Sequence, residues 1–229
     1  MRPHSAGRMR PAAGARMRAP VPIGYNFVMA ESLVALHPQI APLLSDRPQR
    51  ARLLEAMVRV VADKGYEAAT VADAVRLAHV SRGTFYELFE SKEACLLAGY
   101  KVGIEVLENR IDAAIADAAD WREELRLGIR AWLQTLEDDL VFARVHLIDA
   151  RAILWEEREQ VLRRFAHRYG KTYAKSRRPV PPDDALYLLA TGAQELACAH
   201  MRNGRGVLDL EDTLVGCAVR LAAKEEPWT

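Results

Sequence analysis

Apolar residues recur at intervals of three and four along most of the chain, as at Leu53, Leu54, Met57, Val58 and Val61, and again at Leu125, Ile129, Trp132, Leu133 and Leu136. Such spacing keeps one face of a 3.6-residue helix apolar, whereas a half-buried strand alternates every second residue. No sustained alternation occurs, so the pattern predicts an all-α fold. Proline placement agrees. All 11 prolines lie at position 48 or below, or at 179 and above, which leaves 49–178 free of a residue that costs a helix interior roughly 3 kcal/mol.

Local punctuation divides this interval. A helix over 48–64 stops at Gly65, whose missing Cβ permits a left-handed cap. Thr70 with Asp73 three residues later opens a second helix through 78, Ser81 caps a third over 82–88, and Ser91 with Glu93 opens a fourth over 92–117. Further helices are expected over 121–137, 139–150, 152–176, 184–202 and 210–224. The proline-rich 177–184 segment reads as a loop, and Asn203-Gly204 stops the penultimate helix.

The second and third helices are short and joined by a tight turn at His79-Val80, the dimensions of a helix-turn-helix. Phe85, Leu88 and Phe89 share one face of the third helix and are expected to pack on Leu53, Met57, Val71 and Val75. The opposite face offers Arg82, Gly83, Thr84 and Tyr86. That set suits a DNA major groove: Arg82 for a guanine edge, Gly83 for close backbone approach, and the Thr84 methyl for a thymine methyl. Tyr86 and Lys92 are placed for phosphates, as are the free helix-start amides beside Thr70 and Ser91, with Ser81 capping the reading helix. On spacing alone, a solvated hairpin in which Ser81-Arg82-Gly83 is only a cap fits equally well.

A resemblance decides between the two. The run Gly65-Tyr66-Glu67-Ala68-Ala69-Thr70-Val71-Ala72-Asp73-Ala74, then Ala78-His79-Val80-Ser81-Arg82-Gly83-Thr84-Phe85-Tyr86, Phe89 and Ser91-Lys92-Glu93 resembles the N-terminal domain of the TetR family of transcriptional regulators. The resemblance implies a helix-turn-helix over 70–89, recognition by 82–88, and backbone contacts from Tyr86 and Lys92. It further implies a homodimer on a palindromic double-stranded DNA operator, usually a repressor released by a small-molecule effector. His79 stands where the family usually has glycine, and histidine enters the left-handed region more readily than most residues.

Charge adds support. Residues 1–100 carry 13 Lys and Arg against 9 Asp and Glu, a net +4, while 101–229 carry 19 against 22, a net −3. The basic end is the expected DNA end. Residues 1–46 include five arginines before the first acid, Glu31, and read as a disordered basic arm and lead-in, followed by a DNA-binding domain over 47–107 and a helical ligand-binding and dimerisation domain over 108–229.

Hydrophobic residues at 50% and charged residues at 28% fit a globular chain with a sizeable core. No apolar run reaches the length of a membrane span. Three cysteines, Cys95, Cys198 and Cys217, make no paired framework, so a reducing, cytoplasmic setting is expected.

In the C-terminal half, Tyr100, Ile104, Trp132, Phe142, His146 and Phe165 are the candidate cavity residues, with Trp155 and Tyr169 as further aromatics. Arg130 reads as surface. Two stripes of apolar and small residues, Leu186, Leu189, Ala193, Leu196, Ala197 and His200, and Leu214, Cys217, Ala218 and Leu221, are candidates for a four-helix dimer interface. Neither a cofactor nor a metal is expected, and no catalytic residue is assigned. Gly170-Lys171-Thr172 imitates the end of a phosphate loop, but Phe165 stands at its first glycine position. The rival reading is an all-α small-molecule carrier or enzyme that has lost DNA binding.

Overall fold

The computed structural model describes residues 48–176 and 178–221. Among these residues it contains nine α-helices, a π turn and a 3-10 turn, and no strand. The expected basic arm over 1–46 and the last residues of the expected helix 210–224 lie outside them.

Helices α1 (Pro48–Lys64), α2 (Val71–Ala78) and α3 (Arg82–Leu88) form the N-terminal unit. They surround a core built on Leu53, Met57, Val61, Ala74, Phe85 and Phe89. Val71, Val75 and Leu88 pack on its edge, as the spacing predicts. Phe85 is fully buried, so its truncation to alanine should cost about 3 to 5 kcal/mol.

Helix α4 (Lys92–Ile115) runs unbroken from this core into the C-terminal part, so residue 107 falls inside a helix. It ends two residues short of expectation. Helices α5 (Trp121–Asp138), α7 (Trp155–Ala174), α8 (Asp183–Arg202) and α9 (Glu211–Leu221) complete the larger bundle. Its core includes Leu125, Leu133, Tyr173, Leu186, Ala197 and Leu214. The Tyr173 hydroxyl donates to the Ala218 carbonyl at 2.6 Å and ties α7 to α9.

The single helix expected over 139–150 is instead α6 (Leu140–Arg144) followed by a π turn, Val145–Asp149. The Asp139 side chain caps α6 by accepting from the Phe142 amide at 2.9 Å. A π turn advances fewer degrees per residue than an α-helix, so the three consecutive side chains Val145, His146 and Leu147 are all buried. The widened turn closes with the Ala150 amide on the Val145 carbonyl at 2.8 Å. Turn geometry then continues to Leu154, which is why α7 begins at Trp155 and not at 152. Both α6 and the π turn pack on α1. No helix of the described residues is long and apolar enough to cross a membrane.

Candidate DNA-reading face and ligand cavity

Three successive helices start with the same device. Thr70, Ser81 and Ser91 have extended backbones, and their hydroxyls accept from the amides of Asp73 (3.1 Å), Thr84 (2.9 Å) and Ala94 (3.2 Å). Each cap satisfies a donor the helix leaves free and fixes the angle at which the chain enters it. The turn between α2 and α3 depends on His79, at φ 53° and ψ 47°, the left-handed conformation expected of the residue in glycine's place.

Asp73 organises the entrance to α2. It accepts from Thr70 Oγ1 at 2.7 Å and pairs with Lys64 at 2.8 Å and Arg76 at 2.7 Å. Hydrogen bonds from Lys64 and then Thr70 hold its carboxyl down at about 2. The end of α1 is thereby joined to the helix-turn-helix by charge.

On α3, Arg82, Gly83 and Tyr86 are exposed, and Tyr86 keeps 49% of its surface accessible. Arg82 reaches back along the helix, its Nη2 at 3.5 Å from the Tyr86 hydroxyl and its guanidinium carbon 5.7 Å from that ring. The Thr84 and Ser81 hydroxyls lie 2.9 Å apart. Arginine, hydroxyls and an aromatic edge therefore share one exposed face. Opposite it, the Phe85 ring meets Phe89 at 5.6 Å between centroids, so the face rests on a rigid aromatic base.

Lys92 and Glu93 form a clasp that sequence reasoning missed. Lys92 Nζ donates to the carbonyls of Tyr66 (2.9 Å) and Ala69 (3.2 Å) and stands 4.2 Å from the Tyr66 ring centre. The Tyr66 hydroxyl donates to Glu93. Burial, and then that bond, push the tyrosine well above its ordinary range, while Glu93 is held below its own. Lys92 thus fastens the first turn of α4 to the α1–α2 loop, and one of its three N–H groups remains for an outside anion.

The second site is a cavity of about 130 Å³ between α4, α5, α6, α7 and α8. All six candidates, Tyr100, Ile104, Trp132, Phe142, His146 and Phe165, line it. Tyr169 does too, whereas Trp155 is 58% exposed and lies elsewhere. Most of the wall is aliphatic or aromatic. His146 is buried, stacks near Tyr100 at 6.0 Å and meets Phe142 at 4.0 Å between ring centroids. Burial lowers its pKa to about 4, so it is neutral near pH 7. Because a carbonyl only accepts, Nδ1 carries the proton and donates to the Phe142 carbonyl at 2.9 Å.

Arg130 is on the surface as expected, 3.7 Å from Glu211. The two stripes behave differently from their common expectation. Leu186, Ala193, Ala197, Leu214 and Ala218 pack in this chain's own core. On α8 the uncovered side chains are Leu188 (70% exposed) and Leu196 (43%), with Gly192 between them facing open space. Helical spacing had merged the buried and exposed faces.

A capped helix-turn-helix is thus joined through one continuous helix to a helical bundle with an apolar cavity. Residues 53–98 match the family model of the bacterial regulatory proteins, tetR family. Over that helix-turn-helix segment the chain is similar to the family. Among curated relatives, the fatty acid metabolism regulator protein of Bacillus subtilis is 29% identical over 115 residues, covering 50% of this chain and 59% of the relative. The HTH-type transcriptional activator FasR of Mycolicibacterium smegmatis is 31% identical over 91 residues, covering 40% of this chain and 42% of the relative. The chain thus spans about half the length of the curated relatives it matches. In fold it is similar to the fatty acid degradation regulator FadR from Bacillus halodurans, with a TM-score of 0.68 at 19% identity over 78% of this chain and 97% of that one. It is also similar to FadR from Bacillus subtilis in complex with stearoyl-CoA, with a TM-score of 0.64 at 19% identity over 73% of this chain and 96% of that one.

Proposed function

We propose that this protein is a sequence-specific DNA-binding transcriptional regulator, a homodimer on a palindromic operator, released by a ligand that carries a long acyl chain. The observation that carries the reading is α4. Its first turn is clasped to the helix-turn-helix through Lys92 and Glu93, and its body lines the cavity with Tyr100, Ile104 and Ile111. A ligand that alters the packing along α4 therefore acts on the DNA-reading face through one rigid element.

The chemistry of the wall supports the ligand class. Ile104, Ile111, Ile115, Leu125, Ile129 and Phe165 offer extended apolar contact without a catalytic pair among them. The names of the relatives point the same way: one regulates fatty acid metabolism, and the fold neighbour from Bacillus subtilis is in complex with stearoyl-CoA. For the homodimer, the uncovered Leu188-Gly192-Leu196 face of α8 supplies an apolar surface with a close-approach position at its centre. Repression is the sign we assign; the Mycolicibacterium smegmatis relative is an activator by name, so the direction of the ligand effect on DNA affinity tests it.

Selection of bound duplexes from a random pool is the experiment. The expected product is a palindromic motif, with Arg82→Ala weakening specific binding by roughly 1 to 3 kcal/mol and relaxing one base pair per half-site. A pool that yields no enriched sequence would favour the carrier reading.

A further inference from the structure

The cavity has two polar ends, and they differ. At one, every charge is matched: Glu124 accepts from Thr172 Oγ1 at 2.8 Å and pairs with Lys175 at 2.6 Å, and Arg168 pairs with Asp112 at 2.5 Å. At the other, nearest the helix-turn-helix, buried polar groups lack partners. Tyr100 lines the cavity at 3% exposure, and its hydroxyl has no partner. Arg158 is 4% exposed; it donates through Nη2 to Gln194, a cavity residue, while its Nε has no partner.

Arg158 also lacks a counter-charge. Glu195, the acid whose field reaches it, is bonded to Arg151 at 2.7 Å, and Arg151 adds repulsion. Burial first, and then that repulsion, push the guanidinium below its ordinary pKa. His146 at the same end is neutral, and its Nε2, an acceptor in this tautomer, also has no partner. A buried cation is costly unless it is paired and hydrogen-bonded. Arg158 is not itself among the lining residues; it stands one turn before Val161 and Leu162, which line the apolar wall, and meets the cavity through Gln194. The polar end and the apolar channel therefore belong to one surface.

The missing partner is an anion with two acceptor oxygens. A planar carboxylate matches the guanidinium fork and leaves a lone pair for the tyrosine hydroxyl. We propose that Tyr100, Arg158 and Gln194 form a carboxylate subsite, and that the ligand is a free long-chain carboxylic acid held with its head group towards the helix-turn-helix. This rests on the acyl-binding reading of the cavity and names the head group within it. An acyl-CoA has no free carboxylate, and its bulky head does not fit a corner where both donors are buried.

The test compares hexadecanoate, methyl hexadecanoate and hexadecanoyl-CoA by titration calorimetry on the full chain, each below its micelle concentration. The acid should bind at least ~10-fold more tightly than the ester, the gain expected of a charge-assisted pair. Tyr100→Phe should shrink that ratio several-fold, Arg158→Met should bring it towards unity, and Arg158→Lys should restore part of it. Tyr100→Phe removes one oxygen and keeps the ring, so its ratio is decisive even where Arg158→Met fails to fold. Equal affinities for acid and ester in the unaltered protein, or a ratio untouched by Tyr100→Phe, would overturn the subsite while leaving acyl binding intact. Tighter binding of the CoA thioester than of the acid overturns the carboxylate assignment. Binding of none of the three overturns the acyl reading itself.

Discussion

Gly103 is the position where α4 meets the Phe142 ring most closely. A Cβ there would lie 2.4 Å from Phe142 Cε1 and 2.6 Å from Cζ. Non-bonded carbons rest at about 3.5 to 4.0 Å, so Gly103→Ala must drive the ring back by roughly 1 Å or α4 aside by as much. The ring lines the cavity and packs on His146 at 4.0 Å, so its retreat takes up ligand space and presses on the π turn. Alanine regains about 1 kcal/mol of helix propensity over glycine, while overpacking costs roughly 1 to 3 kcal/mol. The net loss is about 1 kcal/mol, a fall of about 2 to 4 °C in Tm for a chain of this size. Ligand affinity should fall further, about 10-fold, because an acyl chain must push the ring out again at a cost near 1.4 kcal/mol. Thermal unfolding and calorimetric titration with hexadecanoate read the two effects separately. If ligand affinity is unchanged while the protein remains folded, the ring is not the wall of the binding space and this reasoning fails.

Three other perturbations follow from the same geometry. His79→Gly removes a left-handed residue that costs about 1 to 2 kcal/mol but adds roughly 0.4 to 1 kcal/mol of freedom to the unfolded chain, so the urea midpoint should rise modestly; a lower midpoint would contradict the strain assigned to the turn. His146 titrates near 4 in the fold and near 6.5 when unfolded, so the unfolded chain gains a proton that the fold refuses as pH falls from 6.5 to 4. Stability should decline through that window by roughly 3 kcal/mol and level off below it, and His146→Gln should lack this part of the slope; identical slopes would refute the buried neutral histidine. Leu196→Glu, on the uncovered face of α8, should leave the monomer's fold intact but break a dimer formed there, at a cost of several kcal/mol; sedimentation showing an intact dimer would move the interface elsewhere.

Local signals were the legible ones. Thr70, Ser81 and Ser91 act as caps because hydroxyl position depends only on residues three apart, and His79 adopts the conformation its place in the turn requires. The six cavity candidates were legible because helical spacing gathered them on inward faces. What spacing could not supply was the angle between helices. It left Trp155 inside and merged the α8 and α9 stripes, although Leu196 faces outward and Leu214 is core. It gave no sign of the π turn, a segment that packs on α1 far away in sequence. Lys92 looked free for a phosphate, yet two loop carbonyls some 25 residues away in sequence hold it. Arg158 and Gln194 are 36 residues apart, and nothing in either neighbourhood announces their pairing.

Ligand binding in the cavity and DNA binding at the helix-turn-helix should be coupled through α4. The direct measurement is the dissociation constant of the selected duplex at fixed salt, with and without saturating hexadecanoate, since phosphate contacts make any affinity depend on ionic strength. A coupling of 1 to 3 kcal/mol, typical of such linkage, predicts DNA binding weakened about 5- to 150-fold by the acid, with acid binding weakened by the same factor on the DNA complex. A DNA affinity that stays the same when the cavity is filled would contradict it.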